Sequence, residues 1–188
     1  GMTEGICGGT PWQQVPGRKF LCPVPGYDRH FAITEHFGFQ LIPVPMDENG
    51  PDMDMVERLV RDETVKGIWC VPKYQNPTGI VFSDDVVRRF ANLRPAAADF
   101  RIFWDNAYCV HCFDGECAQI PDIIAECEKA GHPDLVYEFC STSKVTFPGS
   151  GIAAVAASAA NLIDIKSFLQ LSTIGPDKLN LCLLYTSD

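Results

Sequence analysis

The chain has 188 residues, 46% of them hydrophobic and 21% charged, with 15 basic against 24 acidic side chains and a formal net charge of -9. That suits one ordinary domain with a sizeable core, and it excludes a disordered acidic chain or a broad basic face for nucleic-acid backbones. No apolar run reaches the roughly 18 residues of a spanning helix and no basic-then-apolar leader opens the sequence, so the expectation is a cytoplasmic protein with neither membrane nor nucleic-acid partners.

Residues 19–24 (KFLCPV) read as a strand, and 27–38 as a helix stopped by Gly38. Residues 39–46 are strand-like, with Pro43 and Pro45 pointing to an edge or a strand end. Met53, Val56, Leu59 and Val60 recur at a helical period, and 65–72 (VKGIWCVP) is a buried strand. Ser83 caps a helix that ends before Pro95, and 100–105 (FRIFWD) is a strand ending on an acid. Residues 121–131 form a helix with Gly131 as its stop. Strands at 134–141 and 151–158 and a helix at 161–171 follow. Strands alternating with helices predict an α/β fold, a mainly parallel sheet with helices on both faces. Ligands in such sheets sit beyond the carboxyl ends of the strands.

Nine cysteines fall mostly inside apolar runs, which reads as reduced, buried thiols. Cys109 and Cys112 form a CxxC with His111 between them and Cys117 nearby. A zinc site needs a second pair, and a redox CxxC opens a helix after the first strand. Neither context is present.

Both ends read as those of a piece. Residues 1–18 are loop-like, and 176–180 (PDKLN) begin a helix whose pattern CLLYTSD then breaks. Those last seven residues read as one translated frame of a transposase-type sequencing adapter, so the natural part is taken as 1–181 and 182–188 are set aside.

Three motifs carry chemistry. NPTG (76–79) follows the strand at 65–72, DNAY (105–108) follows the strand at 100–105, and STSK (141–144) follows the strand at 134–141. Each alone is weak. Together, at successive strand ends and spacings of about 30 to 40 residues, they resemble the class I aminotransferases of the fold-type I pyridoxal-phosphate enzymes. PKYQNPTGI, FWDNAYCVH, FCSTSKVTFPGSGIAA and FLCPVPGYDRHFAI are most similar to the bacterial aspartate aminotransferase group labelled type Ic, over residues 12–181.

The resemblance implies the central part of the large cofactor-binding domain, with its N-terminal part and the small domain lying outside this chain. It implies pyridoxal 5'-phosphate as cofactor, an amino acid and a 2-oxo acid as substrates, aspartate and 2-oxoglutarate foremost, and a homodimer at full length. Lys144 then supplies the amine of the Schiff base and later a proton carrier, as a desolvated lysine can. Asp105 keeps the pyridine nitrogen protonated. Asn76 and Tyr108 bond the phenolic oxygen, Tyr27 stacks on the pyridine face, and Ser141 and Ser143 bind the phosphate. The Asn76–Pro77 peptide is expected cis. His30 resembles a histidine that bonds Asp105, but the sequence alone reads nearly as well with it as a surface or core residue. One departure stands out, for residues 145–160 lack the arginine that grips the phosphate in many members. The piece alone is expected not to turn over. A lyase on the same fold uses the same Lys144 and Asp105, and an aminotransferase-like sensor domain of a transcription regulator is a non-enzymatic alternative that an upstream helix-turn-helix would reveal.

Overall fold

The computed structural model describes residues 1–113, 115, 117–146, 149 and 151–186. The elements in chain order are β1 (Lys19–Val24), α1 (Asp28–His36), β2 (Gln40–Asp47), β3 (Gly50–Pro51), α2 (Met53–Leu59), β4 (Val65–Cys70), α3 (Asp84–Ala91), β5 (Arg101–Asp105), α4 (Ile123–Lys129), β6 (Val136–Ser141), β7 (Ala153–Ala157), α5 (Ala159–Ser172) and α6 (Lys178–Thr186). Short polar side chains start the helices by accepting otherwise orphaned N–H groups. Asp52 accepts from Met55, Ser83 from Val86, Asp122 from Ile124 and Ala125, and Ser158 from Asn161.

One seven-stranded sheet has the order β3-β2-β1-β4-β5-β6-β7. The run β2-β1-β4-β5-β6 is parallel, and the outer strands β3 and β7 are antiparallel. Alternation along the strands sends side chains to two faces. Leu21, Ile68, Ile102, Trp104 and Val136 enter one core with Met53, Val56, Phe90 and Ile123 from α2, α3 and α4. Phe20, Trp69, Phe103, Tyr137 and Phe139 enter the other, closed by Ile6, Trp12 and Ile165. Each fully buried Leu, Ile or Phe contributes about 1.5–3 kcal/mol of transfer free energy, so the first core dominates the stability.

From β1 the chain goes outward to β2, then returns to β4 on the other side of β1 and continues through β5 to β6. The strand order therefore reverses between β1 and β4, and the crevice beyond their carboxyl ends is where such sheets take ligands.

The predicted strands and helices between residues 19 and 172 are all present. The sequence carries no signal for β3, and it does not give the direction of β7, whose link to β6 is too short for a helical crossover. The tail departs from expectation. Instead of breaking after Asn180, α6 runs on to Thr186, because Asp177 Oδ1 accepts from Leu179 and Asn180 N–H and no Gly or Pro follows to stop it. It is nonetheless unburied, with no residue in either core. Residues 187 and 188 of the set-aside tail lie outside the described residues. Among the described residues, no helix is long and apolar enough to cross a membrane.

Candidate active site

The chemistry-bearing residues stand at one edge of the sheet. Tyr27 follows β1, Asn76 lies in the loop after β4, Asp105 ends β5 with Tyr108 just beyond, Ser141 ends β6, and Ser143 and Lys144 lie in the 3-10 turn Thr142–Lys144. All are carboxyl ends of parallel strands.

Asp105 is fixed by register. It stands opposite Phe139 on β6 and two residues beyond Phe103, so both face the α1 side of the sheet. There His30 Nε2 lies 3.0 Å from Asp105 Oδ2, with the histidine side chain 8% and the aspartate side chain 28% exposed. An ionised carboxylate can only accept, so the hydrogen sits on Nε2. The His30 ring stacks on Trp69, with centroids 4.3 Å apart and planes 8° apart, and Tyr27 meets its edge at 5.2 Å. Tyr27, His30 and Asp105 are thus contiguous. Sequence reasoning weighed His30 without committing to it; the missing signal was the burial of its face of α1, which only the packing supplies.

Close approach and hydrogen bonds shape the loops that carry Tyr27 and Asn76. A Cβ on Gly26 would come within 2.5 Å of the Pro23 carbonyl oxygen and 2.6 Å of the Phe31 ring, so glycine is needed there. Gln75 Nε2 donates to the Pro25 carbonyl at 2.9 Å, tying the loop after β4 to the loop after β1. The Asn76–Pro77 peptide is cis as expected, and Val24–Pro25 is cis as well. Asn76 itself is exposed. Gln75 and buried Lys73, which donates to the Cys109 carbonyl at 3.0 Å, stand in the PKYQNPTGI stretch but outside its NPTG core, and the sequence assigned them no role.

Beyond Asp105, the Asn106 N–H donates to the Phe139 carbonyl at 2.8 Å and its Nδ2 to Glu138 Oε1 at 2.9 Å. Burial pushes the Glu138 carboxyl up, against a smaller lowering by that Asn106 bond. The Tyr108 ring meets His111 at 5.3 Å. The cysteine expectation needs correcting here. Cys112 and Cys117 form a disulfide, with Cα atoms 4.4 Å apart, within the usual span of such a bond. The CxxC partner Cys109 stays a free thiol, and Cys7 and Cys182 are exposed rather than buried.

In the STSK turn, the Thr142 hydroxyl accepts from the Ile152 N–H at 2.9 Å and so joins β6 to β7. Gly151 lies against Ser143, where an added Cβ would come within 2.4 Å of its Oγ. Ser141 is half-buried, whereas Ser143 and Lys144 are exposed, so burial within this chain does not desolvate the lysine amine. Among the described residues, Asn76, Tyr108 and Lys144 make no hydrogen bond or ion pair with Asp105.

The donor set fits pyridoxal phosphate: a carboxylate for a ring N–H, a partly exposed aromatic ring at Tyr27, an amide and a phenol, serine hydroxyls, and an accessible primary amine. For the phosphate, Ser141, Ser143 and backbone N–H groups are at hand, and residues 145–160 hold no arginine.

A family model described as aspartate amino-transferase matches residues 2–183. The aspartate aminotransferase of Corynebacterium glutamicum is 48% identical over 170 residues, which are 90% of this chain and 39% of that protein. A crystal structure of an aspartate transaminase from the same organism superposes with a TM-score of 0.89 at 46% identity, over 95% of this chain and 41% of the other. LysN, an alpha-aminoadipate aminotransferase of Thermus thermophilus crystallised with N-(5'-phosphopyridoxyl)-L-leucine, gives a TM-score of 0.75 at 27% identity, over 89% of this chain and 42% of its own. The chain spans about two-fifths of the length of the curated relatives it matches.

Proposed function

This chain belongs to the aspartate aminotransferase family, and on that basis we propose that residues 1–181 are the central part of the large domain of a pyridoxal-phosphate-dependent aminotransferase. The complete protein moves an amino group between an amino acid, aspartate foremost, and a 2-oxo acid such as 2-oxoglutarate, and works as a cytoplasmic homodimer. The observation that carries the reading is Asp105 at the end of β5 with His30 Nε2 at 3.0 Å.

When bound, the cofactor supplies an electron sink for the charge left on the substrate carbon. The residues of this chain do the rest. Asp105 would accept from the ring N–H and hold that proton in place, while His30 donates to Oδ2 and fixes the carboxylate. Tyr27 lays its ring on the cofactor face. The Asn76 amide and the Tyr108 hydroxyl bond the phenolic oxygen. Ser141 and Ser143 donate to the phosphate together with backbone N–H groups. Lys144 would hold the cofactor through its aldehyde, and its amine, when free, would move a proton at the substrate carbon.

The complete protein, mixed with aspartate and 2-oxoglutarate, is expected to form glutamate, and Lys144→Ala is expected to abolish that transfer. Release of ammonia in place of amino transfer would move the assignment to a lyase.

A further inference from the structure

The contact between His30 and Asp105 is itself held by a closed ring of interactions. The Trp69 indole lies flat on the His30 imidazole. Its Nε1–H donates to Thr34 Oγ1 at 2.8 Å, and the Thr34 hydroxyl donates to the His30 carbonyl at 2.6 Å, one helical turn back along α1. The hydroxyl has one hydrogen to give and spends it on His30, so it must receive from Trp69. His30 and Thr34 are 7% and 4% exposed, which shields both bonds from water.

Trp69 is set for this by the sheet. It pairs with Phe103 in the register of β4 and β5, and Asp105 lies two residues further along the same face. Packing of Trp69 is already provided by Phe20 and Phe103, at centroid distances of 5.6 and 4.9 Å. Neither of those contacts needs the indole to lie within 8° of the His30 plane or its N–H to reach Thr34. A histidine on a free rotamer would swing about χ1 and χ2, and the stack removes that freedom.

We propose that Trp69 and Thr34 are positioning residues: they lock the His30 ring so that its Nε2–H stays on Asp105 Oδ2. The functional weight of this lock rests on the reading of Asp105 as the partner of the cofactor nitrogen.

The test is the water-exchange rate of the His30 Nε2–H, measured by NMR on the complete protein prepared without cofactor and labelled at histidine. The resonance is assigned by its loss in His30→Gln. A protected Nε2–H is expected in the parent and in Thr34→Ser, which keeps the hydroxyl. At least tenfold faster exchange is expected in Trp69→Leu and in Thr34→Val, whose shape is conserved. If Trp69→Leu does not fold, Thr34→Val decides the matter alone. Exchange in Thr34→Val within twofold of the parent, whatever its melting temperature, would overturn the proposal, as would an unprotected parent. No cofactor is present, so this result is independent of whether Lys144 binds pyridoxal phosphate.

Discussion

His30 Nε2 and Asp105 Oδ2 lie 3.0 Å apart although 75 positions separate the two residues in sequence. The contact joins the first turn of α1 to the last residue of β5 across the point where the strand order reverses. It also leaves one carboxylate oxygen for a ligand. In the complete protein, Asp105→Ala is therefore expected to lower amino transfer by about 10²–10³, the usual cost of losing one charge-stabilising group. His30→Gln should cost less, because the carboxylate remains and loses only its orientation. Steady-state rates of glutamate formation check both, and equal losses in the two variants would contradict the assigned roles.

Gly26 tests the turn that delivers Tyr27. Gly26→Val forces a side chain against the Pro23 carbonyl and the Phe31 ring. A loss of about 1–3 kcal/mol is expected, as for overpacking elsewhere. Gly175→Ala, where no atom stands within 4 Å of the added Cβ, should leave thermal unfolding unchanged.

Two carboxyls give opposite pH dependences. Asp62 is drawn down to about 2 from 3.8, chiefly by its bond with Lys19 and then by Thr64. A lowered folded value means that its stabilisation is fully present above the unfolded value and is lost as pH falls toward 2. Because the pair is exposed, the effect is small, under about 1 kcal/mol, and Asp62→Asn should lower stability at pH 6 and converge with the parent near pH 2. Glu138 is raised by burial, so its favourable contribution is present at low pH and is lost as pH rises through its folded value. Glu138→Gln should thus gain in melting temperature over the parent at pH 7, with the gap closing toward pH 4. Urea unfolding across pH separates the two signs.

The tail offers a simpler test. In α6, Leu183 and Tyr185 are 57% and 92% exposed, and no residue of the helix is fully buried. Deleting 182–188 should leave the melting temperature unchanged, because an unburied helix of this length contributes little. A clear fall on deletion would show that the tail is native structure and not an adapter translation.

How far the sequence could be read follows from which physics is local. The strand at 100–105 and the cap at Ser83 are encoded within a few residues, and both stand where the pattern put them. The three motifs were legible because each sits at a strand end, a position that periodicity locates. Trp69 and Thr34 were not, since their roles depend on α1 meeting β4 across the sheet, and the His30 bond to Asp105 was legible through the resemblance alone. The Cys112–Cys117 pair was missed because composition argues for compartment, whereas pairing depends on the distance between two particular Cα atoms. The helical tail departs from the reading because CLLYTSD lacks a clear helical pattern, although Asp177 provides a cap and no breaker follows.

The claim on which the proposed function turns is that Lys144 is the amine that binds the cofactor. Borohydride treatment of the complete protein with pyridoxal phosphate, followed by peptide mapping, tests it most directly. A pyridoxyl group fixed on Lys144, and no labelling at all in Lys144→Ala, is the expected result. A label on another lysine, or a Lys144→Ala protein labelled as fully as the parent, would contradict the account.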